Sequence, residues 1–393
     1  MKKLFYNKQY IDTSDRKAVS KSLAQKLITG GKSVENFEKK LKKFLTVKHA
    51  ITCINGTAAL HLAYEAIKLK RKDVVIMPVI NFISSYSMAK LYDAKIYFAD
   101  VDKSTGQMTP KTLRDCIKKN KLKKIKAVIC MYLGGYPENI EAFYKIKKQY
   151  KFLIIEDACH AFGASYISKN RRCKVGSCKH ADLSTFSFHP VKSITTGEGG
   201  LVTTNNKKFS SIISKFKNHN IVREKNYWSY NIEKLGFNYR LSDLNCALGI
   251  SQLKKIKYFI SNRNRVNSFY RKELKEYSNY IEMPKYDSKN YSSFHLILAN
   301  IKFKNLKGNK NDFLKYLNKK RIFPQYHYIP IIKFRLENKT VLSLNNFKGA
   351  KSFFDSTVSL PTFVNLSNKD LSKIVGIIKK FFLAKRLKKN DKN

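Results

Sequence analysis

Short apolar runs alternate with amphipathic segments over the first 250 residues of the chain. The runs VVIMP, KIYFADV, AVICMYL, FLIIEDA, STFSF and GLVTT occupy residues 74–78, 95–101, 127–133, 152–158, 184–188 and 200–204. Segments with helical periodicity lie between them, at residues 58–69, 110–119 and 140–150. Near-continuous apolar strands separated by helices are typical of a mostly parallel sheet covered on both faces. We therefore predict a large α/β domain over residues 1–250.

The pattern changes after about residue 250. One long helical stretch at 251–277 is followed by strand-like SSFHLILANI, a helix near 311–319 and a final helix near 369–385. This mixture predicts a smaller C-terminal α+β domain over residues 251–393. A chain of 393 residues is long enough to bury one large core and a smaller one. The last eight residues, RLKKNDKN, are expected to form a frayed basic tail.

Composition and cysteine usage indicate an ordered protein of a reducing compartment. Hydrophobic residues make up 43% of the chain and aromatic residues 13%. The N-terminal segment lacks an apolar run of signal-peptide length, so we expect a cytoplasmic protein without membrane insertion. The seven cysteines are odd in number and scattered, which favours free thiols. Cys173, Cys178 and His180 fit no closed four-ligand zinc pattern, so no metal site is expected.

The formal net charge of +50 raises the prospect of nucleic-acid or membrane-surface binding. The basic residues are spread over the whole chain, most of them are lysines, and no recognisable nucleic-acid motif accompanies them. We favour a solvated, Lys-rich surface that attracts anionic substrates. A basic binding protein that has lost its catalytic activity is the alternative of a different class.

Two polar segments are expected beyond the carboxyl ends of the strands, where open α/β sheets bind ligands. Gly56 and Thr57 open a helix whose N-terminus suits a phosphate, although a Thr there can also be a structural cap. Asp157 ends an apolar strand, and His160 lies three residues further on. A buried carboxylate needs a cationic partner, and a salt-bridged or capping Asp is about as well supported here as a functional one.

A third segment, SFHPVKSITTGEGG at residues 187–200, places Lys192 in the turn between two strands. A lysine held in such a pocket can have a lowered pKa and act as a nucleophile toward an aldehyde. The chain contains 78 Lys and Arg residues, so position alone does not distinguish Lys192 from a surface cation. Its neighbours decide between the two interpretations.

Five motifs together resemble the DegT/DnrJ/EryC1/StrS family of nucleotide-sugar aminotransferases. They are NGTAAL (55–60), EDACHAFGA (156–164), VGSCKHAD (175–182), SFHPVKSITTGEGG (187–200) and LGFNYRLSDLNCALGISQLKK (235–255). The resemblance implies the fold of the fold-type I enzymes that use pyridoxal 5′-phosphate. It also implies a role for each of eight positions. Lys192 bonds to the cofactor's aldehyde, Asp157 pairs with the pyridine nitrogen, His160 lies near the phenolic oxygen, Gly56, Thr57 and Ser187 bind the phosphate, Phe82 stacks on the ring, and Asn238 reaches the phosphate of a neighbouring subunit.

The resemblance also implies a homodimer with shared sites and transfer of an amino group, with glutamate as the usual donor. The sequences of the Lys192 segment and of the HYIP segment at 327–330 are most similar to those of one branch of the family. That branch aminates C4 of a UDP-linked 4-keto-6-deoxy-N-acetyl hexose for pseudaminic acid. The 4-amino-arabinose, perosamine and legionaminic branches stay open as alternatives. A sister group that dehydrates its sugar has histidine in place of the lysine, so the presence of Lys192 favours transamination.

Overall fold

The computed structural model describes residues 2–226, 228–334 and 343–386, so all but the first residue of the predicted basic tail lies outside the described residues. The strands are β1 (Leu4–Phe5), β2 (His49–Cys53), β3 (Val74–Pro78), β4 (Lys95–Ala99), β5 (Ala127–Met131), β6 (Leu153–Asp157), β7 (Ser165–Ser168), β8 (Arg171–Lys174), β9 (Leu183–Ser187), β10 (Gly200–Thr204), β11 (Ile221–Arg223), β12 (Tyr230–Ile232), β13 (Ile281–Glu282), β14 (Ile297–Ile301), β15 (Ile322–Phe323) and β16 (Thr357–Leu360). The helices are α1 (Thr13–Leu23), α2 (Lys32–Leu45), α3 (Gly56–Ala66), α4 (Ile83–Lys90), α5 (Pro110–Lys119), α6 (Ile140–Tyr150), α7 (Lys207–Phe216), α8 (Asp243–Lys254), α9 (Ile256–Glu273), α10 (Lys310–Lys319), α11 (Lys348–Ser356) and α12 (Asn368–Lys385).

Seven strands form the central sheet, in the order β2-β10-β9-β6-β5-β3-β4. The neighbours from β9 to β4 pair in parallel, whereas β10 runs antiparallel to both β2 and β9. The predicted α/β fold with a mostly parallel sheet is therefore confirmed. β2 was not among the predicted strands, because its sequence HAITC is short and includes polar residues.

Helices cover both faces of this sheet, as the apolar runs predicted. Along β3, the side chains of Val75 and Met77 pack with α3 on one face, while Ile76 packs with α5 and α6 on the other. The start of α5 follows from local sequence, because Thr109 forms a capping box and Pro110 occupies the first turn. Burial on both faces explains why these strands are apolar throughout rather than alternating.

The C-terminal part contains a three-stranded antiparallel sheet, β13-β14-β16, packed with α9, α10 and α12 around a second core. The single long helix predicted at 251–277 is wrong. The chain instead forms α8 and α9, which meet at Lys255, where the helical hydrogen bonding is interrupted although the apolar periodicity continues. β1 pairs in parallel with β15, so the N-terminal segment contributes to the C-terminal part. The division at residue 250 stays a prediction.

Candidate active site

The first turn of α3 lies against the end of β9. The side chain of Asn55 caps α3 by accepting a hydrogen bond of 2.8 Å from the N–H of Ala58. A Cβ added to Gly56 would lie 2.8 Å from the Cβ of Ser187 and 3.5 Å from the Sγ of Cys159. Glycine therefore allows a backbone approach that any other residue would obstruct. Gly56 and Ser187, predicted from separate motifs, are neighbours in space.

Thr57 lies beside the start of α4. Its Oγ1 is 2.8 Å from the Oγ of Ser84, so one of the two hydroxyls donates to the other. The N-terminus of α3 adds backbone N–H groups and the positive end of the helix dipole. Hydroxyls, a glycine and a helix N-terminus together form a place suited to a phosphate group.

Asp157 is the last residue of β6 and is almost completely buried. The hydroxyl of Ser85 donates to its Oδ2 at 3.2 Å, and the backbone N–H of Cys159 donates to its Oδ1 at 3.3 Å. Both oxygens of the carboxylate are thus oriented by hydrogen bonds. A buried carboxylate held in this way is stabilised further by a cation, which a protonated ring nitrogen can provide.

Lys192 lies in the turn after β9 and is half-buried. Its backbone N–H donates to the carbonyl oxygen of His189 at 2.9 Å, which fixes the turn. Burial lowers the pKa of the Lys192 ammonium from its ordinary value, and the nearby Cys159 and Asp157 partly oppose that shift. A larger fraction of the amine is therefore uncharged, which is the form that attacks a carbonyl carbon.

His160 is buried behind this turn, and both of its ring nitrogens have partners. The N–H of Gly134 donates to Nδ1 at 3.4 Å, and the hydroxyl oxygen of Tyr328 lies 2.9 Å from Nε2. Burial lowers the pKa of His160 well below its ordinary value, and the charge of Lys192 adds to the shift. His160 is therefore a neutral imidazole in this site.

Phe82 lies at the mouth of a cleft of about 350 Å³ that is also lined by Tyr6, Gln325 and Tyr328. Its ring is 51% exposed, which leaves an aromatic face available to a planar ligand. The ring centroids of Phe82 and Tyr328 are 5.6 Å apart. The position of Phe82 is compatible with the stacking role predicted for it.

Asn238 is exposed on the segment that follows the β11–β12 hairpin. Its backbone forms a bridge with Asn218, and the carbonyl oxygen of the next residue, Tyr239, accepts a hydrogen bond of 2.9 Å from the N–H of Ile54. This segment therefore runs beside the chain that leads into α3. The role predicted for Asn238 concerns a second subunit and stays a prediction.

The contacts of Ser84, Ser85 and Tyr328 were not predicted from the sequence. The two serines directly follow Phe82 and Ile83, so a polar pair at a helix start was the available signal. Tyr328 lies within the HYIP segment, which had served only to suggest a subtype. Its contact with His160 joins residues 168 positions apart, and no local pattern encodes such a contact.

The possible zinc ligands are engaged separately. The Sγ of Cys178 donates to the carbonyl oxygen of Thr203 at 3.2 Å, while Nδ1 of His180 lies 2.8 Å from the hydroxyl of Tyr166. Within the described ranges, no group of three or more His, Cys, Asp or Glu side chains is arranged to hold a metal ion. None of the helices described in the structure is both long and apolar enough to cross a membrane.

Comparison with known proteins places this geometry in a family. The model of the DegT/DnrJ/EryC1/StrS aminotransferase family matches residues 9–379. The chain belongs to this family. The UDP-4-amino-4,6-dideoxy-N-acetyl-β-L-altrosamine transaminase of Campylobacter jejuni is 37% identical over 384 residues, 98% of both chains. The GDP-perosamine synthase of Escherichia coli is 29% identical, covering 90% of this chain and 92% of its own.

The solved structures agree with the family assignment. The Helicobacter pylori aminotransferase PseC, described as involved in the biosynthesis of pseudaminic acid, superimposes with a TM-score of 0.88. It is 29% identical and covers 98% of this chain and 100% of its own. The family depends on pyridoxal phosphate, and the predictions of aminotransferase class and cofactor are confirmed at the level of the family.

Proposed function

We propose that this protein transfers an amino group from an amino acid, with glutamate as the expected donor, to C4 of a UDP-linked 4-keto-6-deoxy-N-acetyl hexose. The proposal rests on the observation that three motifs lie close together in space. The Lys192 turn, the Asp157 strand end and the Gly56 loop lie around one site. No two of these segments are adjacent in the sequence, so their meeting is a property of the fold.

The residues of this site fit pyridoxal phosphate. The close approach of Gly56 to Ser187 leaves backbone N–H groups and hydroxyls where a phosphate can bind. Asp157 supplies an oriented carboxylate for the ring nitrogen, and Phe82 supplies an aromatic face. Lys192 supplies an amine whose pKa burial has lowered. The phosphate, the ring nitrogen, the ring face and the aldehyde of the cofactor thus each have a chemically suitable partner.

When bound, pyridoxal phosphate supplies an aldehyde that can carry an amino group and a ring that accepts electrons. The uncharged amine of Lys192 would hold the cofactor through its aldehyde, with release of water, and as a free amine it would be the base that accepts and returns a proton. Asp157 would keep a proton on the ring nitrogen, because a positive charge opposite would stabilise its own buried negative charge. Ser85 holds one carboxylate oxygen in place for this task.

The substrate class is supported by relatives and by charge. The Campylobacter relative, which is named as the altrosamine transaminase, matches over 98% of both chains. The Helicobacter relative is described as involved in pseudaminic acid biosynthesis. A net charge of +50 favours the approach of an anionic UDP-sugar. The perosamine branch is the second candidate, because the E. coli relative covers 90% of this chain. An inactive basic binding protein is less well supported, since Lys192 and Asp157 are both present.

A substrate panel tests the proposal. The protein is incubated with ¹⁵N-glutamate and with UDP-, GDP- and dTDP-linked 4-keto sugars, and products are identified by mass and NMR. We expect ¹⁵N at C4 of the UDP-linked N-acetyl sugar together with 2-oxoglutarate. Amination of only the GDP-linked sugar would show that the substrate is of the perosamine type and not of the pseudaminic type. Failure to aminate any of the sugars would contradict the proposal.

We also propose that the enzyme is a homodimer, consists of domains at 1–250 and 251–393, and is cytoplasmic. Dimerisation is supported by apolar side chains around Asn238, since Leu235 is 85% exposed and Phe237 47% exposed. The domain division is supported by a separate hydrophobic cluster in the C-terminal part, which Leu4 joins from the N-terminus. A reducing compartment is supported by the seven cysteines, all of which are free.

A further inference from the structure

The protons around His160 can be assigned from its two hydrogen-bond partners. The backbone N–H of Gly134 can only donate, so Nδ1 of His160 accepts at 3.4 Å. The ring is neutral because its pKa is lowered well below the ordinary value by burial and by nearby positive charge. A neutral imidazole carries one proton, which must then lie on Nε2.

This assignment fixes the direction of the next hydrogen bond. Nε2–H of His160 donates to the hydroxyl oxygen of Tyr328 at 2.9 Å. The proton of Tyr328 itself must then point toward another acceptor. Tyr328 lines the cleft beside Asn81 and Phe82. Burial and the charge of Asp157 raise the pKa of Tyr328 well above its ordinary value, so the hydroxyl keeps its proton.

We propose that the Tyr328 hydroxyl, held by His160, is a ligand-binding donor that directs its proton to an acceptor oxygen of the molecule bound in the cleft. The acceptor is the phenolic oxygen of the cofactor or an oxygen of the sugar, which share the same hydrogen-bonding chemistry. His160 is then a positioning residue that acts through Tyr328, because both of its own nitrogens are already engaged. The inference rests on the proposed function and deepens it.

Replacement of the hydroxyl tests the donor directly. Tyr328→Phe keeps the ring and removes only the O–H group. Three quantities are measured: the dissociation constant of pyridoxal phosphate, the pH midpoint of the bound cofactor's colour change, and KM against kcat for the sugar. The loss of one such hydrogen bond should raise the dissociation constant of the cofactor or the KM for the sugar by about 3- to 10-fold, or shift the pH midpoint by the equivalent amount. Tyr258→Phe, which removes a hydroxyl from an exposed ring on α9, is the matched control.

The source of the acceptor oxygen follows from which quantity moves. A weaker cofactor affinity or a shifted colour midpoint identifies the phenolic oxygen. A higher KM for the sugar with unchanged cofactor readouts identifies the sugar. If all three quantities equal those of the wild type, Tyr328 donates to neither and the proposal is overturned.

Two substitutions at His160 test the positioning role. His160→Gln retains an oxygen that can accept from Gly134 and an N–H that can donate to Tyr328. We expect it to keep the wild-type values within about threefold, whereas His160→Leu should reproduce the defect of Tyr328→Phe. The double variant His160→Leu/Tyr328→Phe should be no worse than either single variant. Fully additive defects would show that His160 does not act through Tyr328.

A spectroscopic measurement separates this inference from the proposed function. In ¹⁵N NMR of the cofactor-free protein, His160 should show the Nε2–H tautomer from about pH 6 to 8. An Nδ1–H tautomer or a doubly protonated ring would overturn the assignment whatever the protein binds. Failure of the wild-type protein to bind pyridoxal phosphate would instead contradict the proposed function. The tautomer of His160 would still be determined, because it is measured in the cofactor-free protein.

Discussion

Asp157 shows how single residues define this site. Within the described part of the chain, its buried carboxylate accepts hydrogen bonds from the Ser85 hydroxyl and the Cys159 N–H, which are both neutral groups. Neutral donors orient a carboxylate but do not cancel its charge. The site is therefore prepared for a cation that arrives with the ligand.

Asp157→Asn should retain the cofactor but reduce kcat on the order of 100-fold or more, the typical cost of removing one preorganised electrostatic partner. Steady-state kinetics with glutamate and the UDP-sugar measure this loss. Asp115→Asn, which removes a carboxylate exposed on α5, is the control and should behave as the wild type. Near-normal turnover of Asp157→Asn would show that this carboxylate does not pair with the ring.

Ser85→Ala should have a smaller effect than the change at Asp157. One neutral hydrogen bond to the carboxylate is lost while its charge remains, so we expect kcat to fall by about 3- to 10-fold. The same kinetic assay measures it. A loss as large as that of Asp157→Asn would mean that Ser85 has a role beyond orienting the carboxylate.

At the scale of elements, the contact between α3 and β9 assembles the phosphate site. Gly56→Ala places a methyl group 2.8 Å from the Cβ of Ser187, so the helix start must shift. We expect the dissociation constant of pyridoxal phosphate to rise at least about 10-fold and the free energy of unfolding to fall by about 1–3 kcal/mol. Gly376→Ala on α12 is the matched control, because an added Cβ meets nothing within 4 Å. That control should be neutral or stabilising by up to about 1 kcal/mol.

Titration of the cofactor and urea unfolding measure both quantities of the glycine prediction. Wild-type cofactor affinity in Gly56→Ala would contradict a binding role for the backbone at this position.

Periodicity predicted those elements that are either buried throughout or buried along one continuous face. The apolar run of β3 and the amphipathic helices α5 and α6 match the structure at both ends. β2 was missed because its pairing with β10, about 150 residues later, stabilises a segment with little local signal. The break at Lys255 was missed because the apolar pattern is continuous across it. Tertiary packing determines both features.

The site was predictable to the extent that its residues lie within motifs. Asp157 ends a predicted apolar strand and Lys192 follows another, where ligand-binding residues are expected, and Gly56 opens a predicted helix. The residues that orient them could not be found in this way. Ser85 reaches Asp157 from 72 positions away, and Tyr328 reaches His160 from 168 positions away.

At the scale of the whole molecule, the exposed apolar segment around Asn238 predicts a dimer. Leu235→Glu should shift the protein toward the monomer and lower its cofactor affinity, because a charge replaces an apolar side chain at the proposed interface. Light scattering after size-exclusion chromatography measures the mass. Leu383→Glu, at an exposed leucine of α12, is the control. A dimer of unchanged stability in Leu235→Glu would contradict the proposed interface.

Mixed dimers test whether sites are shared. If Asn238 serves the neighbouring site, a Lys192→Ala subunit paired with an Asn238→Ala subunit has one doubly defective site and one intact site. Such heterodimers should retain about half of the wild-type activity. Activity equal to the average of the two parent variants would place Asn238 in the site of its own subunit.

Acid should destabilise the protein through its buried neutral histidines. Burial and the charge of Lys192 lower the pKa of His327 to about 3. Between that value and about 6.5, the unfolded chain binds a proton that the folded chain does not, so stability falls as the pH falls, by up to about 1.4 kcal/mol per pH unit. His327→Asn removes this contribution and retains a polar partner for Ser359. Urea unfolding from about pH 7 to 5 should show a steeper loss for the wild type, and equal slopes would contradict the assignment.

Lys192, among 78 Lys and Arg residues, is expected to be the one that bonds to the cofactor. Borohydride treatment of the protein loaded with pyridoxal phosphate, followed by peptide mass mapping, tests this role. We expect the reduced cofactor on the peptide that contains Lys192, and its loss in Lys192→Ala. Attachment to another lysine, or an unmodified Lys192 peptide in the wild type, would contradict the account.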